Sequence, residues 1–340
     1  MKVRIKDIAA RAGVSPATVS LVLNGRPGIS RETREQVMLV AEELGYRQQG
    51  QAASGTRHRT THFLKIAKHG HTVNRDHDVF IADYIDGLAR EAQRLSYRVE
   101  IQMLDNATAD ACLEYARQVK TDGLVLLGTE LNARDLEVFC APDLPEMVFL
   151  DTYHDYLPLN FVDMNNTDAV FEAVGHFHER GHRSIGMLQS TSDVENFRLR
   201  DRAFAQAMAH YDLPAPRAAL FRVDSTFEGA RRDMERHLKK GRRPPPALFA
   251  ANDIIAYGCM RALQDGGHRI PDDVSVIGFD DLPMSAVMDV PLTTIRVSKR
   301  EIGRTALRLL ADRINAPQPP PPSKILVGGQ LIVRSSVRSG

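Results

Sequence analysis

Cysteine is scarce in this 340-residue chain, and the three present, Cys112, Cys140 and Cys259, are widely spaced and odd in number. That argues against a disulfide framework or a zinc site and leaves the thiols as buried apolar fillers. Long apolar runs are lacking as well: none approaches bilayer-spanning length. The opening Met-Lys-Val-Arg-Ile-Lys-Asp holds no apolar segment of an export signal, so a cytoplasmic location without membrane contact is expected. Catalytic signatures are missing too. There is no GxxxxGK(S/T) or GxGxxG phosphate loop, no GxSxG elbow and no HExxH. The twelve histidines are scattered. His176 and His178, two apart, point different ways on a helix, and His69 and His71 flank Gly70 in a loop; no metal and no cofactor is expected. Composition is otherwise that of a globular protein, with 43% hydrophobic and 26% charged residues and a net charge of +1.

What is present is concentrated at the start. Ile5, Ile8, Ala9 and Ala12 fall on one face at helical spacing, and Gly13 ends that helix by taking positive φ. Ser15 is placed to cap a second helix, and Pro16 stands at its first position, where a missing N–H costs nothing. Val19, Val22 and Leu23 then pack, leaving Ala17, Thr18, Leu21 and Asn24 outward. A third helix follows, capped by Ser30, with Glu32 in its first turn, Val37, Val40, Ala41 and Leu44 buried, and Gly45 as its stop. This is the pattern of a helix-turn-helix, whose second helix enters the DNA major groove. Residues 1–60 carry ten Lys and Arg against five Asp and Glu, a net +5, which leaves residues 61–340 at −4. A basic tip on an acidic body suits phosphate neutralisation. Arg4, Lys6, Arg26, Arg31, Arg34 and Arg47 are the candidate cations, with Ser15, Thr18, Ser20 and Thr33 as hydroxyl donors.

From about residue 62 short β-rich runs alternate with amphipathic helices. The runs are 63–67, 99–104, 123–128, 147–151, 185–188, 247–253 and 274–281; the helices are 83–95, 169–180, 200–210, 227–239, 254–265 and 299–314. Such alternation means right-handed βαβ units and an α/β fold with parallel sheets. The strands are too many for one nucleotide-sized sheet, so two doubly wound lobes are expected, changing over near Asp151–Asp163. Residues 317–322 read as a stiff polyproline connector and 242–246 as a loop before a strand. Three runs end in polar groups: Asp151, Asn252-Asp253 and Asp280-Asp281. In open parallel sheets ligands bind beyond the carboxyl ends of strands, and converging carboxylates and an amide suit a hydroxyl-rich ligand.

These features together resemble the lactose/galactose repressor (LacI-type) family. The head carries Ile5-x-Asp7-Ile-Ala, Ala12-Gly-Val-Ser15, Thr18-Val-Ser20-x-Val-Leu-Asn24, Ile29-Ser30-x-x-Thr33-Arg34 and Leu44-Gly-Tyr46. The body adds Gly181-His-Arg-Ser-Ile185, Ala251-Asn-Asp253, Gly278-Phe-Asp-Asp281, Pro291-Leu-Thr-Thr294 and Leu331-Ile-Val-Arg334-Ser. The resemblance implies a helix-turn-helix DNA-binding domain at 1–46, a hinge at 47–61, and a two-lobed, periplasmic-binding-protein-like body at 62–340 that binds an effector and dimerises. It implies a homodimer on a two-fold DNA operator, controlled by a small effector, with a carbohydrate favoured. No heptad tail follows Arg334, which favours a dimer over a tetramer.

Residue by residue, Ser15, Pro16, Ala17, Thr18, Ser20, Leu21 and Asn24 fall in the recognition turn and helix, and Ser30, Thr33 and Arg34 at the phosphate-contacting start of the third helix. Phe80, Tyr84, Asp151, Arg198, Asn252 and Asp280 fall at effector-facing positions, and Asp224 where many relatives hold an aromatic ring. Arg198 is the foremost of these, since a guanidinium fork can grip vicinal hydroxyls or a carboxylate. Some positions depart from the pattern. Leu21 stands where a base-reading Arg is frequent, and Pro16 and Ala17 replace longer polar side chains, which favours contact with a thymine methyl. Gly55 occupies the minor-groove wedge position, with Ala52 as an alternative wedge. The loop 69–78 is unusually polar, and Asn74 and Asp78 could serve either the cleft or a partner subunit. A transport-linked solute-binding protein would share the body but needs an export signal and has no use for a basic helix-turn-helix; an enzyme acting on a sugar in the same cleft lacks a nucleophile motif.

Overall fold

The computed structural model describes residues 4–23, 29–44, 59–214, 219–318 and 320–338, with the side chains of Arg31 and Glu42 left aside. Asn24, Gly45, and Ala52 and Gly55 of the expected hinge lie outside the described residues. The chain divides into two compact units, Met1–His58 and Arg59–Gly340.

In the first unit α1 (Ile5–Ala12), α2 (Pro16–Leu23) and α3 (Arg31–Glu43) surround a small core of Ile8, Ala9, Ala12, Val19, Val22, Val37 and Ala41. Gly13 takes φ 66° at the end of α1, a conformation that side chains disfavour. Ser15 Oγ accepts the Thr18 N–H at 3.0 Å, and Ser30 Oγ accepts the Thr33 N–H at 3.2 Å. The two helices thus begin with the same Ser-x-x-Thr cap.

The second unit holds two six-stranded sheets. Its elements run β1 (Arg59–Ala67), α4 (Asp78–Leu95), β2 (Tyr97–Asp105), α5 (Ala109–Gln118), β3 (Gly123–Leu127), α6 (Ala133–Glu137), β4 (Met147–Leu150) and β5 (Phe161–Met164). Then come α7 (Asn166–Glu179), β6 (Ile185–Ser190), α8 (Glu195–His210), β7 (Leu220–Val223), α9 (Phe227–Lys239), β8 (Ala247–Ala250), α10 (Asp253–Asp265), β9 (Ser275–Asp280) and β10 (Thr293–Arg296). The unit closes with α11 (Lys299–Asn315), β11 (Lys324–Val327) and β12 (Gln330–Ile332). The first sheet is ordered β11-β5-β4-β3-β1-β2 and is parallel throughout; the second is ordered β12-β10-β9-β8-β6-β7, with only β12 antiparallel.

The lobes change over later than the sequence suggests. Asp151–Asp163 does not leave the first sheet, because β5 pairs there with β4 and β11. The chain crosses after Met164, returns between Arg296 and Lys299, and crosses again between β11 and β12. β5 and β7 were not anticipated: each is only four residues long and interrupted by a charge, Asp163 or Arg222, leaving no apolar run to recognise.

α11 returns to the first lobe and packs along α4 at glycine contacts. A Cβ on Gly87 would lie 2.1 Å from the Arg300 carbonyl oxygen, and one on Gly303 would lie 2.2 Å from that of Tyr84. Backbone, not a flexible side chain, is the obstacle at both places. Gly87→Ala is therefore expected to destabilise the body by about 1–3 kcal/mol, measured by urea unfolding, despite the higher helix propensity of alanine.

Candidate ligand cleft and nucleic-acid interface

Each sheet reverses its strand order beside its second strand in space, between β1 and β3 and between β6 and β8, and polar residues gather at those carboxyl ends. Thr129 follows β3, Asp151 follows β4, Asn252 follows β8 and Asp280 ends β9. With Thr72, His77, Phe80, Ile81, Val194, Asn196, Phe197 and Arg200 they line a cleft between the lobes with room for about 30 Å³. Aromatic and aliphatic side chains make the walls; carboxylates, amides and one guanidinium make the polar lining.

The lining is under strain where it is most polar. Asp151 and Asp280 adopt φ of 59° and 119°, a region rarely used by residues with a side chain, and Asp281, next in the chain but outside the lining, adopts 50°. Asp151 is saturated by the scaffold. Its Oδ2 accepts from Thr129 Oγ1 at 2.5 Å, and its Oδ1 accepts from Tyr84 Oη at 3.0 Å and from Asn196 Nδ2 at 3.1 Å. Behind it Asp163 is fully buried, and its Oδ2 has no partner among the described residues. Burial, then the adjacent Asp151, pushes the Asp163 carboxyl well up, and burial also pushes Asp151 up.

Asp280, unlike Asp151 and like Asp163, keeps an oxygen without a hydrogen-bond partner among the described residues. This Oδ1 is buried, and the carboxyl is pushed up to about 8 by burial, against the pull of Arg200 and Lys299. Each polar dipeptide splits its work. Asn252 and Asp280 line the cavity, whereas Asp253 accepts from Thr294 Oγ1, Ser285 Oγ and the Leu282 N–H, and Asp281 pairs with Arg296 and Arg334 at 2.7 and 2.6 Å. Asn252 also caps α10, accepting the Ile255 N–H at 2.9 Å.

The arginine of the cleft is Arg200, not Arg198. Arg200 is 3% exposed. Its Nε donates to Asn166 Oδ1 at 2.9 Å and its Nη1 to the Ala251 carbonyl at 2.5 Å, and its Cζ lies 3.7 Å from the centre of the Phe279 ring. Arg198 does not line the cavity: its side chain is 47% exposed and pairs with Asp193 and Glu195. The reason is where α8 begins. It starts at Glu195, five residues before the expected start, so Asn196 and Arg200 stand one turn apart on the cleft face and Arg198 falls on the opposite side.

Of the other expected residues, Phe80 lines the cavity, and Tyr84 sits behind it, holding Asp151. Asp224 does not reach it. Asp224 accepts from the Thr226 N–H and hydroxyl at 2.8 and 2.7 Å, which turns its carboxylate into the start of α9. Within the polar loop Asn74 and Asp78 are structural: Asn74 Oδ1 accepts the Asp76 N–H, and Asp78 pairs with Lys65 at 2.6 Å. Thr72 and His77 of that loop reach the cavity instead. Burial pushes His77 down to about 4, although Asp76, Glu130 and Asp78 favour its charged form. The polarity of the loop was the available signal for His77; no sequence signal marked Thr129 or Asn196. Among the described residues no cluster of three or more His, Cys, Asp or Glu is placed to hold a metal ion.

On the head, Ser15, Pro16, Ala17 and Leu21 of α2 are exposed, Leu21 by 40%, while Thr18 and Ser20 are half-buried. Ser15 and Thr18 share a hydroxyl contact at 2.9 Å, as do Ser30 and Thr33, and Arg34 reaches back to the Val22 carbonyl at 3.5 Å. Two capped helix starts thus stand beside an exposed, largely apolar α2 face.

Residues 4–49 match the family described as bacterial regulatory proteins, lacI family, and residues 174–337 match a periplasmic binding protein-like domain. The HTH-type transcriptional repressor CytR of Escherichia coli K12 is 31% identical over 337 residues, 98% of this chain and 96% of its own length. The chain belongs to the lacI family. PurR of Haemophilus influenzae is 29% identical across 98% of both chains. The lac repressor dimer bound to operator and the anti-inducer ONPF superposes with a TM-score of 0.73 at 25% identity, covering 99% of each chain. The CelR–cellobiose complex, at 23% identity and a TM-score of 0.72, shares the fold. As a lacI-family protein the chain is a DNA-binding transcriptional regulator rather than an enzyme. Its boundary between units, His58 to Arg59, falls within the expected hinge, and β1 begins at Arg59 because that residue already pairs with Tyr97 of β2. Among the described residues no helix is long and apolar enough to cross a membrane.

Proposed function

We propose that the protein is a homodimeric repressor that grips a two-fold operator through α2 and the start of α3, acts in the cytoplasm where that DNA lies, and is controlled by a carbohydrate or similar hydroxyl-rich effector in the cleft. The observation that carries the effector reading is Asp280, a buried carboxyl with an unpartnered oxygen, in the lining of a cleft that Phe80 and Phe197 also line. A ligand hydroxyl donating to it would satisfy a group that is otherwise costly to bury. A sugar ring also presents an apolar face to such aromatic walls while its hydroxyls meet Asn252, Asn196 and Arg200. Support for the DNA and dimer readings comes from the lac repressor relative, a dimer on its operator. Effector binding regulates only if the ligand favours one arrangement of the lobes over another.

A thermal-shift panel of mono- and disaccharides tests the effector class: at least one should raise the melting temperature of the wild-type chain, and none should do so for Asp280→Asn. If only nucleosides or purines bind, the carbohydrate class is wrong. On the DNA side, Leu21 is exposed and its removal leaves the core intact, so Leu21→Ala is expected to keep head stability within about 0.5 kcal/mol. It should weaken operator binding by roughly 1 kcal/mol, read by fluorescence anisotropy, with the slope against salt unchanged because no phosphate contact is lost.

A further inference from the structure

The loop between β1 and α4 is folded around a single carboxylate. Glu130, in the turn after β3, is buried, and its two oxygens accept six hydrogen bonds from residues 68–73. Oε2 accepts the N–H groups of Lys68, His69 and Gly70 at 2.8, 2.8 and 2.9 Å. Oε1 accepts the N–H groups of Thr72 and Val73 at 2.8 and 2.9 Å and the Thr72 hydroxyl at 3.1 Å. Burial opposes its charge, yet these donors hold the carboxyl down to about 2.

The far side of the same loop meets the second lobe. Ser225 Oγ donates to the His71 carbonyl at 3.1 Å, and the Phe227 N–H donates to Asp76 Oδ2 at 3.4 Å. His71 Nδ1 lies 3.9 Å from Asp224 Oδ2. Asn252 Oδ1 is taken by the Ile255 N–H, so its Nδ2 is the donor toward His77 Nε2, 3.2 Å away. That network assigns the proton of His77 to Nδ1, which donates to Asn74 Oδ1 at 3.0 Å. Asn74 Nδ2 in turn donates to the Gly70 and His71 carbonyls, both at 3.0 Å, which ties His77 back to the Glu130 loop.

We propose that residues 68–77 are a latch coupling the two lobes, and that Glu130 is a positioning residue for the cleft, acting through that latch to hold Thr72 and His77 at the cavity. The inference deepens the ligand-cleft reading and rests on it for its functional meaning, but the mechanical link exists without ligand. Glutamine at position 130 would turn an amide donor toward one of the two sets of N–H donors, so charge and hydrogen-bonding polarity are both needed.

The test uses the full-length, ligand-free chain and reads amide hydrogen exchange with the nitrogen chemical shifts of His77. In Glu130→Gln, exchange should rise about tenfold in residues 68–73 and at least about threefold in 225–229 and 252–256 of the other lobe. The nitrogen chemical shifts of His77 should move as its Nδ1–H bond to Asn74 loosens, a signature that loss of bulk stability alone would not produce. His77→Gln should loosen 252–256 while leaving 68–73 protected. Wild-type exchange at 225–229 and 252–256 in a folded Glu130→Gln variant would overturn the proposal. If that variant does not fold, unchanged exchange at 252–256 in His77→Gln overturns it instead. Because no ligand is present, such a failure is separate from failure of the cleft reading, which rests on the sugar panel and Asp280→Asn.

Discussion

Replacing Arg200 by alanine is expected to destabilise the body by about 3 kcal/mol and to weaken binding of any cleft ligand about a hundredfold. Three neutral groups, the Asn166 side-chain oxygen, the Ala251 carbonyl and the Met164 thioether, receive its N–H bonds, and the Phe279 ring lies under its plane. Alanine would strand those acceptors in a dry site and remove a cation that draws the buried carboxyls of Asp151, Asp163 and Asp280 toward ionisation. Lysine in its place keeps the charge but not the planar fork, so it should recover little of the binding. Arg198→Ala is the control. Its side chain is half-exposed and pairs with exposed Asp193 and with Glu195, which keeps Arg202 at 2.7 Å, so the change should cost less than about 1 kcal/mol. Urea unfolding and titration calorimetry with the best ligand of the sugar panel measure both effects. Equal losses for the two arginines would remove Arg200 from the cleft.

Asp280→Asn is expected to stabilise the unliganded body at pH 8 by about 2–4 kcal/mol while abolishing ligand binding. The sign follows from the raised carboxyl. In the unfolded chain an aspartate ionises near pH 4, whereas in the folded cleft Asp280 holds its proton to about 8. Between those values the unfolded state binds fewer protons, so this residue lowers stability progressively as pH rises, reaching its full cost above pH 8. Asparagine carries no such penalty, so the difference between variant and wild type should be small near pH 4 and largest at pH 8. His77, His154 and His182 act the other way. Burial pushes each down to about 4, so their neutral forms add stability above the ordinary histidine range that is lost as pH falls through about 6.5 to 4. The profile of the wild type mixes both trends, and the difference between the variants isolates Asp280. A pH-independent difference would refute the raised carboxyl. Stability gained where binding is lost is the trade expected of a site built to hold a charge in reserve.

Local rules reach a definite distance into this molecule. α1 and α2 were legible because glycine, serine and proline punctuate them at positions with only one use, and α9 because its apolar stripe is uninterrupted. The start of α8 was not legible, since Val194 offers no capping side chain and Glu195, Asn196 and Phe197 carry no outward period. That single uncertainty turned the choice between two arginines two residues apart. β5 and β7 were invisible because Asp163 and Arg222 interrupt their four residues, so pairing with β4 and β11, and with β6, rather than any apolar run, marks them as strands.

Composition, helix caps and apolar spacing settled that a basic three-helix head precedes an acidic α/β body whose strands end in carboxylates and amides, because each of those features depends on residues within a few positions of one another. The folded body alone decided which polar groups share a cavity. His77 and Asn252 meet from positions 175 apart, and Asn196 reaches Asp151 across 45. Such meetings depend on where three crossings between the lobes bring distant strand ends, and that geometry is a property of packed sheets rather than of any stretch of sequence.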